Sequence, residues 1–106
     1  MIIEMEQEIL DLIKTGESVK YKTIARNSTL FKGLIRAFQI MEAVNKVEEL
    51  KLYSFLHYER LKYDLSGLSS VRLDNRYVHR LIFKELDDII TLKLIQIDAT
   101  HYGNKK

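Results

Sequence analysis

The chain has no cysteine, no proline and no tryptophan, and only four glycines in 106 residues. Without cysteine there can be no disulfide framework, no thiol nucleophile and no zinc–thiolate site, which suits a reducing compartment. Without proline, nothing in the sequence is barred from helix by a missing amide. No apolar run approaches the roughly 20 residues needed to cross a bilayer. The first ten residues, "MIIEMEQEIL", carry acids where a secretory leader carries basic side chains. The expectation is a soluble cytoplasmic protein. A large excess of one charge is also missing: 17 basic against 15 acidic residues leave +2, too little to announce nucleic acid by net charge alone. The length suits a single domain with a core of its own, held without covalent staples.

What charge there is lies unevenly. Residues 1–53 hold eight basic and eight acidic side chains, whereas residues 54–106 hold nine and seven, so the whole excess sits in the second half. Five of the six tyrosines, Tyr53, Tyr58, Tyr63, Tyr77 and Tyr102, also stand at position 53 or later. Basic groups among aromatics suit a nucleic-acid surface, although tyrosines in strands more often simply pack.

Apolar spacing divides the chain the same way. Residues 1–5 read as an edge strand or a first helical turn. "QEILDLIK" at 7–14 reads as a short one-sided helix, with Gly16 as its C-terminal stop. "VKYKTIA" is ambiguous between helix and strand. Asn27, Ser28 and Thr29 offer N-caps for a helix over about 30–47, on which Phe31, Leu34, Ile35, Phe38, Met41 and Val44 recur at helical spacing. Past Ser66–Gly67 the pattern turns to strands at 69–73, 77–84 and 89–97, separated by Asp74–Asn75 and by "ELDD". Helices first and an antiparallel meander second define an α+β domain, with N-terminal helices packed on one face of a small twisted antiparallel sheet. One domain is expected over 1–106, helical over about 6–60, with the meander over about 69–98 and "GNKK" as a short tail.

Alternation in 77–84 places Tyr77, His79, Leu81 and Phe83 on one face and Val78, Arg80, Ile82 and Lys84 on the other. If helices cover the first face, Arg80 stands on the open one, and Arg72 takes the equivalent side of its own strand. Two guanidinium forks on neighbouring strands would match phosphate oxygens.

Three stretches taken in order carry a resemblance: "ERLKYDLSGLSSVRL" (59–73), "HRLIF" (79–83) and the late "HY" (101–102). Together they resemble the RelE/ParE superfamily of bacterial toxin–antitoxin toxins, with HigB and YoeB as the nearest branches. The likeness is strongest from about 57 to 102 and rests on length and pattern before that. It implies a metal-independent, ribosome-dependent mRNA endonuclease that inhibits translation and needs no cofactor. Glu59, Arg80, His101 and Tyr102 would be its catalytic residues, and Lys62, Arg72 and Arg76 would bind substrate. The same resemblance implies a cognate antitoxin, in the HigB branch a helix-turn-helix protein of the HigA kind. It further implies that operator DNA is met only through that antitoxin, and it implies no membrane contact. The chemistry is consistent. When the neighbouring 2′-hydroxyl attacks the phosphate, a base must take its proton and an acid must protonate the departing oxygen, and a carboxylate and a histidine can divide that work. Arginine and lysine offset the charge that grows in the transition state, while a tyrosine can hold the phosphate or stack on a splayed base.

The chain departs from the family in places. Tyr63 stands where the "LKG" motif has glycine, so a different turn is expected there. Leu68 and Ser69 replace two aromatics. The first meander turn is about two residues longer, which makes Arg76 a rival to Arg80. Taken singly, Glu59 beside Arg60 and Lys62 reads as a solvated helix charge, Arg80 as a partner for Asp74 or Asp98, and His57 and His79 as packed or surface histidines. Two other functions share this fold: gyrase poisoning by binding, as in ParE-type members, and a degenerate toxin acting only in an antitoxin–operator complex. The His101–Tyr102 pair speaks against the first, and the retained Glu59, Arg80 and His101 against the second.

Overall fold

In the computed structural model residues 1–86 and 91–99 are described. Met1 leads into a strand, β1 (Ile2–Met5), followed by three helices: α1 (Gln7–Thr15), α2 (Lys22–Arg26) and α3 (Ser28–Ala43). Two 3-10 segments, Val47–Leu52 and Ser54–Leu56, carry the chain to β2 (Glu59–Arg60). A third, Tyr63–Leu65, precedes β3 (Leu68–Arg72), β4 (Arg80–Glu85) and β5 (Thr91–Asp98).

Each helix end has a local cause. Gly16 closes α1 in the left-handed conformation, φ 77°, and its N–H returns to the Leu12 carbonyl at 2.9 Å. Asn27 caps α3, its side-chain oxygen accepting from the Leu30 amide at 3.1 Å. The stretch that alternated ambiguously becomes α2, a single helical segment of five residues. α3 begins two residues earlier than its apolar spacing suggests and stops at Ala43, well short of 47. Its fully buried row is Leu30, Leu34, Ala37 and Met41, while Phe31 and Phe38 pack only at the margin. The row is displaced because Gly33 lets the helix lie directly on the chain after β3. A Cβ there would stand 2.0 Å from the Leu73 carbonyl oxygen.

The five strands form one sheet in the order β1-β5-β4-β3-β2. β2 to β5 are antiparallel neighbours, and β1 adds to the far edge in parallel with β5. Val71, Leu73, Leu81 and Phe83 face the helices and meet Ile9, Leu12, Leu34 and Met41 in the core. Past β1 the edge of β5 is finished by a side chain: the Ile97 amide donates to the Tyr21 hydroxyl, which donates onward to the Glu6 carboxylate. Burial and the adjacent carboxylate both push the Tyr21 phenol above its ordinary value. The first meander turn takes residues 73–79, so β4 begins at Arg80 and not at 77. Among the described residues no helix is long and apolar enough to cross a membrane.

Candidate functional site

Residues paired directly across antiparallel strands share a face. On the face that no described helix covers, one row therefore reads Glu59, Ser70, Ile82 and Gln96, and the next reads Arg72, Arg80 and Asp98. Glu59 lies diagonally across from Arg80, and the gap is closed by an ion pair. Arg80 Nη1 donates to Glu59 Oε2 at 2.7 Å, a charge-assisted contact at the short end of its range. The partners differ in setting: the arginine side chain is 11% exposed and the carboxylate 48%. Arg80 is thus on the helix-free face, as alternation requires, but it is buried and not open. Glu59 is a strand residue, where the sequence alone suggested a solvated helix charge.

Around this pair lie polar groups with unused capacity. Arg72 stands opposite Arg80 and spends one guanidinium nitrogen on a long 3.5 Å contact to the Tyr77 carbonyl. Its Nε is buried without a partner, and so is Ser70 Oγ two residues earlier on the same face. Buried polar atoms are rarely left alone, and those that are mark sites where a ligand or water completes them. Two facing arginines with spare donors, next to a half-exposed carboxylate, can bind a phosphate and take a proton from a neighbouring hydroxyl.

The other expected residues fall in different places. Lys62 is exposed in the hairpin after β2. Arg76 sits in the 73–79 turn, its guanidinium on both oxygens of Asp74 at 3.1 and 3.3 Å, and this contact holds the Asp74 carboxyl below its ordinary value. Asp74 therefore belongs to Arg76 and not to Arg80. His101 and Tyr102 lie outside the described residues. His57, two residues before Glu59, is exposed and left-handed at φ 49°. His79 stacks edge-on to Tyr77 with its Nδ1 buried and unpartnered, and burial pushes the imidazole below its ordinary value, with Asp98 partly opposing. Tyr63 adopts the left-handed backbone after all, at φ 59° and 90% exposed, the conformation that glycine takes without cost.

Two features escaped sequence reasoning. Ser70 became a site residue only through strand register, which no local pattern encodes. Glu85 ends β4 as a hub for its neighbours: the Tyr58 and Ser69 hydroxyls donate to it at 2.6 and 2.8 Å, and Arg60 at 3.2 Å. It ties β2, β3 and β4 together at the end of the sheet away from the arginines.

No protein-family model matches the sequence, and no curated protein is significantly similar to it. Among solved structures the chain is similar to a YoeB/ParE toxin from Agrobacterium tumefaciens. The two superpose with a TM-score of 0.55 at 16% identity, over 94% of this chain and 99% of that one. The likeness is one of fold. It supports the α+β architecture, helices on one face of a sheet, that the residue pattern led one to expect, over nearly the whole of both chains.

Proposed function

We propose that the chain is the toxin of a toxin–antitoxin pair and acts as an endoribonuclease on messenger RNA at the ribosome. The observation that carries this reading is the Glu59–Arg80 pair at 2.7 Å, with Arg72 directly opposite on the helix-free face. Substrate phosphate enters beside Arg80 and Arg72 and competes with Glu59 for the Arg80 guanidinium. The released carboxylate accepts the proton of the attacking 2′-hydroxyl as the new O2′–P bond forms. The P–O5′ bond breaks and the departing oxygen takes a proton from His101, leaving a 2′,3′-cyclic phosphate and a 5′-hydroxyl. The arginines offset the charge on the phosphorane, Lys62 in the hairpin holds the RNA backbone farther along, and Tyr102 holds the phosphate or stacks on the adjoining base. An antitoxin of the helix-turn-helix kind would hold this activity in check. Solubility in the cytoplasm and a HigB-like branch belong to the same proposal.

The test is mRNA cleavage in a reconstituted translation system, with and without ribosomes, comparing wild type with Glu59→Gln and His101→Ala. Cuts that need ribosomes, carry those end groups and vanish in both variants are the expected result. Intact mRNA with folded wild type would move the reading to gyrase binding, and after that to a repressor-only toxin.

A further inference from the structure

Four residues along β4 from Arg80, on the same face, stands Lys84. Its cross-strand partner is Lys93 of β5, so two ammonium groups oppose each other directly. Like charges so placed are destabilising. Both lysines are exposed, and neither has an ion-pair partner among the described residues. Glu4 of β1 is level with Lys93 without bridging to it, and the rest of that row, Leu68, is uncharged. At this end of the sheet the β2–β3 hairpin adds exposed Lys62. A lysine pair without an ion-pair partner among the described residues, on a face that no described helix covers, is suited to hold an anion.

We infer that Lys84 and Lys93 form a second phosphate subsite, which holds the RNA backbone beyond the phosphate bound at Arg72 and Arg80. This assignment rests on the ribonuclease reading and adds to it the path of the strand. The separation, about 13 Å at the rise of a β-strand, leaves room for a neighbouring phosphate past the one that is cut. The occupant is single-stranded RNA. The lysines supply point charges with no base-reading geometry, so they bind without sequence preference.

The experiment is fluorescence anisotropy with a labelled 2′-O-methyl RNA hexamer, uncleavable because its attacking hydroxyl is blocked, over a range of salt. Wild type is compared with Lys84→Gln/Lys93→Gln and with Lys46→Gln/Lys51→Gln, an equal charge change at exposed lysines of the helical half. Losing two phosphate contacts should weaken the hexamer by about tenfold and reduce the slope of log K against log salt by about 1.4. The control pair should keep the wild-type slope, and a 2′-O-methyl dinucleotide, too short to reach the lysines, should bind both forms alike. An unchanged slope in Lys84→Gln/Lys93→Gln with normal wild-type binding overturns this subsite and leaves the nuclease reading standing. An equal loss in the control pair also overturns it, since only net charge is then at work. A glutamate decapeptide that needs the two lysines where the hexamer does not would make the face a protein-docking surface. A wild type that binds no free hexamer overturns the subsite, while the nuclease reading, which calls for ribosomes, is decided by the cleavage assay.

Discussion

Arg80 is the residue on which fold and proposed chemistry meet, because it is buried like a core side chain and charged like a ligand. Truncating it does more than remove a phosphate donor. Arg80→Ala should abolish cleavage and also lower stability by about 1–2 kcal/mol, since the stem loses its packing while Glu59, half exposed, recovers hydration. Urea unfolding of the variant checks the second part; no loss of stability would mean that the ion pair is idle in the free protein. Tyr63 presents the opposite case, strain with no burial in return. A bulky residue at φ 59° costs on the order of 1–2 kcal/mol, and glycine would give back part of that through a freer unfolded chain. Tyr63→Gly should therefore raise the urea midpoint modestly, by about 0.5–1 kcal/mol in stability. A fall would show that the ring makes a contact worth more than the strain. His79 adds a pH dependence. Burial holds its imidazole below the ordinary value of 6.5, so in acid the unfolded chain takes up a proton that the folded chain refuses. The stability is fully present above that value and is lost as pH falls below it. His79→Gln should flatten the drop in urea midpoint between pH 7.5 and pH 5.5; an equally steep drop would assign the acid sensitivity to other groups.

Among the elements, α3 is placed by a missing side chain. Gly33→Ala should gain about 1 kcal/mol of helix propensity and still destabilise, because the new Cβ meets a backbone carbonyl at 2.0 Å that no rotamer can evade. A net loss of about 2 kcal/mol in urea unfolding is expected, and a stabilised variant would mean that helix and sheet can part without cost. The same close approach explains what the sequence could and could not disclose. Long periodic elements were legible: α1 with its Gly16 stop, the Asn27 cap and the three meander strands, although β4 starts three residues later than its alternation suggested and the "ELDD" turn runs into residues outside those described. The buried row of α3 was not, because Phe31 and Phe38 outweigh Ala37 in any hydrophobic count, while the contact at Gly33 turns Leu30, Leu34 and Met41 inward. β2 was not legible either, since two residues cannot display an alternation. Its identity as a strand comes from pairing with Ser69 and Ser70. Of the site, the two arginines on one face followed from alternation alone. That Glu59 and Arg80 belong to one site was suggested by a resemblance in residue order; their ion pair was not, since the sequence offered Asp74 or Asp98 as partners for Arg80. The orphaned Ser70 hydroxyl and the opposed lysines depend on register between strands, which is a property of the folded sheet.

For the whole molecule, the sheet order distributes stability unevenly, and the proposed chemistry uses the difference. β4 is paired on both sides, by β3 and β5, and its Leu81 and Phe83 sit in the centre of the core. β2 is a two-residue edge strand whose other side has no neighbour among the described strands. Amides within β4 should open only with the entire domain, whereas the edge can part locally at a fraction of that free energy. Native-state hydrogen exchange should then rank the amides of β4 as the slowest in the chain and those around Glu59 and Leu61 as much faster. The Leu61 amide donates across the hairpin to the Leu68 carbonyl at 2.8 Å. Comparable protection in both places would mean that the β2 backbone is held as firmly as the centre, leaving only the Glu59 side chain to yield. The expected ranking assigns the anchor to the rigid centre and the proton acceptor to the edge that yields. A phosphate can then take Arg80 from Glu59 by moving one side chain on a two-residue strand, with the sheet beneath it unchanged.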